Sequence, residues 1–366
     1  TTDMKVVFLD RDGTIIVEPP DEQVDSLEKL ELIPGAIRGM HLLIDRGYEL
    51  VMVTNQDSLG TPRFPREDFE KPHQKLLQIL KGEGIELSKI FICPHAPEDR
   101  CDCRKPKTGL VQEFLRHNHI DLSKSFMVGD RETDVQFGQA IGCRTILLAD
   151  KPPTQAEYVT SNFLDACNYI LRVDRSAHVE RKTAETSIVI DVTLDGTGAQ
   201  EIATGIGFFD HMLAQFSKHS IIDVKINVMG DLHVDEHHAV EDTGLALGEA
   251  IRQALGDKRG IERYGFLLPM DESRAQVALD LGGRPYCTFE GAFEREKVGE
   301  LPTELVEDFF RAFADGLRAN LHITVQGRND HHKVEAIFKA VARSLKQAVA
   351  LDQRALDTIP STKGIL

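Results

Sequence analysis

Two stretches of the chain carry the same pattern, and that repetition restricts the second half to folds built from two like pieces. Phe209-Asp210-His211-Met212-Leu213-Ala214-Gln215-Phe216 aligns with Val306-Glu307-Asp308-Phe309-Phe310-Arg311-Ala312-Phe313 as an amphipathic helix. An alternating strand follows each (223–228 and 321–325), and both copies then reach His-His-x-x-Glu at the head of a long helical pattern (239–255 and 333–349). The steps from His211 to His237 and from Asp308 to His331 are of similar length, as expected of an internal duplication of about ninety residues. Such a unit is α+β, with sheets packed on helices.

The first 150 residues read differently. Apolar runs at 5–9, 48–53, 90–93, 126–128 and 145–148 alternate with helical patterns, and βαβα alternation predicts a mainly parallel sheet with ligands at the carboxyl ends of its strands. A polar linker helix is expected from about 154 to 172, after Lys151-Pro152-Pro153, and a period-two strand begins at Ile188, Ile190, Val192 and Leu194. The chain therefore divides into domains 1–168 and 169–366. A length of 366 residues suits two domains, and 41% hydrophobic with 28% charged residues is ordinary globular composition. The net charge of −16 repels phosphate backbones and anionic lipid, so no nucleic acid and no membrane partner is expected. With no apolar run near a membrane span and no leader-like start, the expected location is cytoplasmic.

Chemistry-bearing residues fall in order at the strand ends of the first half. Asp10 and Asp12 follow the first strand, Thr54 and Asn55 the second, Lys105 lies in Arg104-Lys105-Pro106-Lys107, and Asp130 and Asp134 follow the fourth strand in Gly129-Asp130-Arg131-Glu132-Thr133-Asp134. A phosphoryl group needs a positioned nucleophile, a proton donor and a cation cluster, and this set can supply all three. Cys93, His95, Cys101 and Cys103 give three thiols and an imidazole in one loop that offers no core to bury them, a donor set suited to structural Zn2+ rather than a disulfide framework.

The four motifs in this order resemble the haloacid dehalogenase-like phosphatases. The resemblance implies a three-layer Rossmann-type domain in which Asp10 is the nucleophile that becomes an aspartyl-phosphate and Asp12 is the acid that protonates the leaving alkoxide. It also implies that Thr54, Asn55 and Lys105 hold phosphoryl oxygens. Asp10, Asp130 and the Asp12 carbonyl would surround Mg2+, with Asp134 either supporting the site or serving as a helix-start carboxylate. No cap domain fits between the strands, so the cleft should admit a small phosphorylated alcohol.

Nine of the fourteen histidines lie after residue 175. Neighbouring helical residues point about 100° apart, so one doublet cannot easily place both rings on one ion. Glu241 lies three and four residues after His238 and His237, close enough to approach either ring, and a helix N-terminus keeps imidazole neutral, the ligand form. Two such sets imply two ions. Imidazoles mixed with carboxylates suit Mn2+, with zinc or iron left open.

Gly207-Phe208-Phe209-Asp210-His211-Met212-Leu213, Asp235-Glu236-His237-His238-Ala239-Val240-Glu241-Asp242, Asp330-His331-His332-Lys333-Val334-Glu335-Ala336 and Pro360-Ser361-Thr362-Lys363-Gly364 together resemble imidazoleglycerol-phosphate dehydratase. With the first half, the whole chain is similar to the bifunctional histidine-biosynthesis enzymes, a histidinol-phosphatase fused to that dehydratase. The resemblance implies His211, His237, His238, Glu241, His331, His332 and Glu335 as ligands, and Glu185, His219, Arg263, Arg284, Ser361 and Lys363 as substrate contacts. Glu185 or Glu335 would shuttle the proton. It also implies a homo-oligomer, an octahedral shell of twenty-four subunits whose sites take ligands from neighbouring chains. Asp308 departs from the family, many of whose members carry His there; it is either a carboxylate ligand or a lost one. Small heptose-bisphosphate phosphatases share the four motifs and the zinc loop, so only the fused second half favours histidinol phosphate as the phosphatase substrate.

Overall fold

The computed structural model describes residues 3–150, 153–184, 186–230 and 236–366. The chain forms two compact units, 1–171 and 172–366.

Unit 1 is built on six strands, β1 (Lys5–Leu9), β2 (Tyr48–Asn55), β3 (Lys89–Cys93), β4 (Phe126–Gly129), β5 (Arg144–Leu148) and β6 (Tyr158–Thr160), with helices α1 (Ala36–Asp45), α2 (Arg66–Gly82), α3 (Gln112–His117), α4 (Glu132–Ile141) and α5 (Phe163–Asp174). All pairings are parallel, in the order β3-β2-β1-β4-β5-β6. Strand order reverses at β1, which places the switch-point crevice over its carboxyl end.

Both faces of the sheet are apolar because both are covered. Val6, Phe8, Val51, Val53 and Met127 pack with Val111, Phe114, Phe137 and Ile141, and Phe8 meets Phe114 and Phe137 edge-on with centroids 6.4 Å apart. The alternate residues Val7, Leu9, Leu50, Met52 and Val128 are equally buried. The linker differs from the sequence expectation. Residues 158–160 form a sixth strand, and the helix starts only at Phe163 and is amphipathic rather than polar, burying Phe163, Ala166, Cys167, Ile170 and Leu171. Phe163 and Cys167 lie so close to Gly39 of α1 that a Cβ there would meet both at 2.8 Å.

Unit 2 consists of β7 (Ser176–Lys182), β8 (Thr186–Thr193), β9 (Gln200–Ala203), α6 (Gly207–Ser220), β10 (Asp223–Gly230) and α7 (His237–Leu255), followed by β11 (Tyr264–Met270), β12 (Ser273–Asp280), β13 (Tyr286–Glu290), β14 (Lys297–Val298), β15 (Leu301–Pro302), α8 (Glu304–Leu317), β16 (Asn320–Gln326) and α9 (Asp330–Val349). The two four-stranded sheets, β7-β8-β10-β9 and β11-β12-β16-β13, have the same order, with two antiparallel pairings and a parallel edge strand. The duplication thus extends through the whole unit. The inward residues of both sheets share one core with the four helices, α7 lying on β7 and β8, α9 on β11 and β12, α8 against α7 and α6 against α9. Gly248 and Gly316 let α7 and α8 cross almost backbone to backbone, since a Cβ at either would meet Phe313 O or Leu245 O at 2.3 and 2.1 Å. One insertion breaks the symmetry. β9 reaches α6 through 204–206, whereas β13 reaches α8 through 291–303, which carries the β14–β15 hairpin.

Candidate active sites

The end of β1 turns its last residues into the switch-point crevice. Asp10 N–H donates to Val128 O at 3.0 Å, and Gly13, at φ +77°, leaves room for Asp130, which a Cβ there would meet at 2.2 Å. Asp10, Asp130 and Asp134 bring one carboxylate oxygen each within 4.8 Å of one another. Lys105 is buried among them, its Nζ 2.9 Å from Asp10 and 2.6 Å from Asp134 while donating to Val53 O at 2.7 Å. Although burial opposes its charge, Asp10 and Asp134 hold the ammonium pKa above its usual value. Burial, then the neighbouring carboxylates, pushes Asp130 up to about 8; Asp134 rises to about 6 through burial, against the pull of Lys105. Three carboxylates against one ammonium, with Asp130 Oδ1 buried and unpartnered, form a donor set suited to a small hard cation.

Asp12 lies beside this group, gripped through both oxygens. Gln56 Nε2 donates to Oδ2 at 2.7 Å and to Thr54 Oγ1 at 3.0 Å, and Arg11 Nε donates to Oδ1 at 3.0 Å. Arg11 is fully buried, lies over Phe69 at 4.6 Å and approaches His73 at 3.4 Å. Asn55 spends its amide on the Lys105 backbone, accepting from its N–H at 3.0 Å and donating to its carbonyl at 3.3 Å; it fixes the loop that delivers the lysine. Asp134 accepts from the Arg131 N–H at 3.1 Å as well as from Lys105, so it both caps α4 and orients the ammonium. Sequence reasoning missed Arg11, Gln56 and His73, although Arg11 and Gln56 adjoin the residues it selected.

The cysteine loop converges as expected. The Cys93 sulfur lies 3.1 Å from Cys103 and 3.7 Å from both Cys101 and His95 Nδ1, and His95 Nδ1 lies 3.1 Å from Cys103. Zn–S bonds of about 2.3 Å at tetrahedral angles place sulfurs about 3.8 Å apart, so the cluster is close to zinc-ready. Against its desolvation, hydrogen bonds from the Cys103 thiol and nearby backbone draw Cys101 down to about 6, toward the thiolate a metal needs. One expectation is corrected: Cys93 ends the edge strand β3 and is fully buried, so part of the loop does sit on a core.

In unit 2 the helices pair across the two copies, α7 with α8 and α6 with α9, and each doublet opens one of the paired helices. His237 Nε2 lies 2.8 Å from Glu241 and its Nδ1 3.6 Å from Asp308 on α8. Symmetrically, His331 Nε2 lies 3.4 Å from Glu335, and the Phe208 ring stands between α6 and α9, 5.1 Å from His331 and 6.5 Å from His211. Asp308, the residue that the internal alignment pairs with His211, thus faces the first doublet from α8. The rings within each doublet are turned 89° and 82° from one another. His332 turns to Glu272 at 2.8 Å, whose hydrogen bond raises its pKa; here the carboxylate overrides the helix end expected to keep the ring neutral. Lys339, missed in the sequence, lies 2.7 Å from Glu335. Among the described residues, no three His, Cys, Asp or Glu donors of unit 2 come within 4.8 Å of one another. Each doublet offers one His–carboxylate pair, His237 with Glu241 and His331 with Glu335.

Arg263 and the tail meet, Arg263 gripping Asp280 at 2.5 and 3.0 Å and donating to Pro360 O at 2.9 Å. A Cβ on Gly283 would sit 2.7 Å from the Leu366 backbone, so the last residue of the tail lies against the turn that precedes Arg284. His219 belongs instead to the α6–α9 side, where burial and the charges of Lys339 and Arg343 lower its pKa. Glu185 lies outside the described residues. No helix among the described residues is long and apolar enough to cross a membrane.

A phosphate-ester hydrolase fold with its carboxylates at the switch point, joined to a duplicated lyase-type unit with paired His–carboxylate contacts, defines a fused two-site enzyme. The sequence profile of the imidazoleglycerol-phosphate dehydratase family matches residues 204–345, and the HAD-hydrolase-like profile matches 102–162. The histidine biosynthesis bifunctional protein HisB of Spirosoma linguale is 49% identical over 383 aligned residues, spanning 99% of this chain and all of that protein. HisB of Bacteroides fragilis is 47% identical over 372, spanning 99% of each. The imidazoleglycerol-phosphate dehydratase structure from Staphylococcus aureus is 38% identical and covers 48% of this chain and 99% of that one, with a TM-score of 0.45. The chain belongs to the HisB family of bifunctional histidine-biosynthesis proteins.

Proposed function

We propose that unit 1 hydrolyses histidinol phosphate to histidinol and that unit 2 dehydrates imidazole glycerol phosphate to imidazole acetol phosphate, in the cytoplasm. The end-to-end likeness to bifunctional relatives carries this reading, and the fused dehydratase unit favours histidinol phosphate over a heptose bisphosphate.

In unit 1, Asp10 attacks phosphorus, the P–O bond to the alcohol breaks, and Asp12 gives its proton to the leaving alkoxide. Water, deprotonated by Asp12, then attacks the aspartyl-phosphate and releases phosphate. Lys105, 2.9 Å from Asp10, offsets the negative charge gathered on the phosphoryl oxygens, joined by Thr54, while Asn55 holds the lysine's loop. Asp10, Asp130 and the Asp12 carbonyl would hold Mg2+, which when bound neutralises the incoming phosphate. Cys93, His95, Cys101 and Cys103 would hold a structural Zn2+ that fixes the loop leading to Lys105.

In unit 2, His237, Glu241 and Asp308 form one half-site and His211, His331 and Glu335 the other. Mn2+ held there would draw charge from the substrate ring as the adjacent C–H proton leaves. The rings of His238 and His332 stand edge-on to those of their doublet partners, so they suit the half-sites of neighbouring subunits in a 24-subunit octahedral shell. Glu335 or Glu185 moves the proton; against the effect of burial, Lys339 holds the Glu335 pKa below its usual value. Arg263, Arg284, Ser361 and Lys363 take the substrate phosphate, and His219 contacts substrate from α6.

Assaying the purified chain on histidinol phosphate, heptose 1,7-bisphosphate and imidazole glycerol phosphate tests both halves. Turnover of the first and third is expected. Preference for the heptose ester, or no dehydration, would overturn the assignment.

A further inference from the structure

Among the described residues, the segment 291–303 is the one large departure from the internal symmetry, and its contacts end at the helix starts that bear histidines. At one end, Asp330, at the head of α9 and buried, accepts from the N–H groups of Glu294 and Arg295 at 2.8 and 2.7 Å. Lys333, paired with Asp330 at 2.6 Å, donates to Ala292 O at 2.7 Å. At the other end, Glu300 accepts from the N–H of Gly207, the first residue of α6, at 2.9 Å. Between them Gly299, at φ +60°, lies so close to Phe208 that a Cβ would meet the phenylalanine Cβ at 2.8 Å. Phe208 is the ring that stands 5.1 Å from His331. Val298 and Leu301 bury the hairpin's apolar side, and Thr303 closes its base through the Arg295 carbonyl at 2.7 Å.

A contact from Lys297 to Glu236 at 3.4 Å reaches α7 as well, but it is exposed and adds little. The backbone ties run to α6 and α9, the two helices that carry His211 and His331: an exposed hydrogen bond and the close Gly299–Phe208 approach at α6, and the buried Asp330 and Lys333 at α9. The first copy has no such segment, and there α7 and α8 are set instead by their glycine-lined crossing.

We propose that 291–303 is a strap that fixes the starts of α6 and α9, and with them His211 and His331, relative to one another, with Gly299, Glu300 and Asp330 as positioning residues that touch neither ion nor substrate. The inference rests on the reading of His211, His331 and Glu335 as a metal half-site. Groups that orient metal ligands without touching the ion typically change affinity 10- to 100-fold, so loss of one tie should weaken one class of Mn2+ site by about 10-fold and leave the other class unchanged.

The experiment is Mn2+ titration of metal-free full-length protein, followed by electron paramagnetic resonance, for wild type, Glu300→Ala, Glu300→Gln and Gly299→Ala. The thermal transition and assembled mass of each are measured alongside. Expected is two classes of site in wild type, about 10-fold weakening of one class in Glu300→Ala and Gly299→Ala, and near-wild-type binding in Glu300→Gln, which keeps an acceptor for the Gly207 N–H. A merely structural role would lower the transition temperature without this selective change or its rescue by glutamine. If wild type binds Mn2+ and every variant binds it identically, or if both classes weaken together, the strap proposal fails. If wild type binds no Mn2+, the half-site reading itself fails and takes the strap with it. Should Gly299→Ala not fold, the Glu300 pair still decides.

Discussion

Lys105→Met isolates the electrostatics of the phosphatase site. The lysine is 3% exposed and stands 2.9 and 2.6 Å from two carboxylates, with Asp130 in the same group. Methionine keeps most of the length and apolar stem but removes the single ammonium, so three carboxylates converge uncompensated. Removing one partner of a buried ion pair costs about 3–5 kcal/mol. For a unit of this size each kcal/mol lowers the transition by about 2–4 °C, so the unit 1 transition should fall by roughly 6–20 °C in metal-free buffer. Mg2+ should then stabilise the variant more than wild type, because the ion replaces the missing positive charge. Phosphatase turnover should be lost even with Mg2+ present, since the phosphoryl oxygens lose their fixed cation. Differential scanning calorimetry of both proteins, with chelator and with Mg2+, reads each outcome. An unshifted transition in chelator, or equal stabilisation of the two proteins by Mg2+, would refute the argument that Lys105 neutralises this group.

Asp308→Ala should weaken Mn2+ binding at its half-site at least about 10-fold, with dehydration partly restored by excess Mn2+, whereas Asp308→His should bind well but favour Zn2+; unchanged Mn2+ affinity in the alanine variant would make Asp308 a bystander. Cys101→Ser should release zinc and open 94–107 to protease, because structural zinc contributes folding energy directly; equal digestion of both proteins and no zinc by elemental analysis would contradict this. Burial and the Arg11 guanidinium push His73 down to about 4. Between that value and about 6.5 the unfolded chain binds the extra proton, so unit 1 stability should fall as pH drops through this window, by at most about 3 kcal/mol. His73→Gln should flatten that slope, and parallel curves for the two proteins would contradict it.

The elements of unit 1 were legible because each central strand is a short apolar run ending in a polar residue: 5–9 matches β1, and 126–128 falls one residue short of β4. β6 escaped because three half-buried residues at a sheet edge carry no such run. The linker helix was misread as polar since its apolar residues, Phe163, Cys167, Ile170 and Leu171, are spread at helical spacing among charged ones. In the sites, carboxylates, cysteines and histidines are recognisable by type and spacing. Residues that work by holding others are not: Arg11, Gln56, Lys339 and the strap's Glu300 are ordinary polar residues in sequence, and only the fold turns Arg11 and Gln56 onto the Asp12 carboxylate, Lys339 onto Glu335 and Glu300 onto Gly207. The alignment that pairs Asp308 with His211 was readable, but its meaning depends on α8 packing against α7, a long-range contact.

The central claim is that one chain holds two independent sites, and Asp10→Asn tests it most directly. Phosphate release from histidinol phosphate and formation of imidazole acetol phosphate are measured on the same preparation, with the assembled mass checked by light scattering. The account predicts that phosphate release is abolished, because the amide cannot act as the nucleophile, while dehydration stays at the wild-type rate. Phosphatase activity that persists would remove Asp10 from its role, and loss of both activities in a protein that remains folded and assembled would contradict the two-site account.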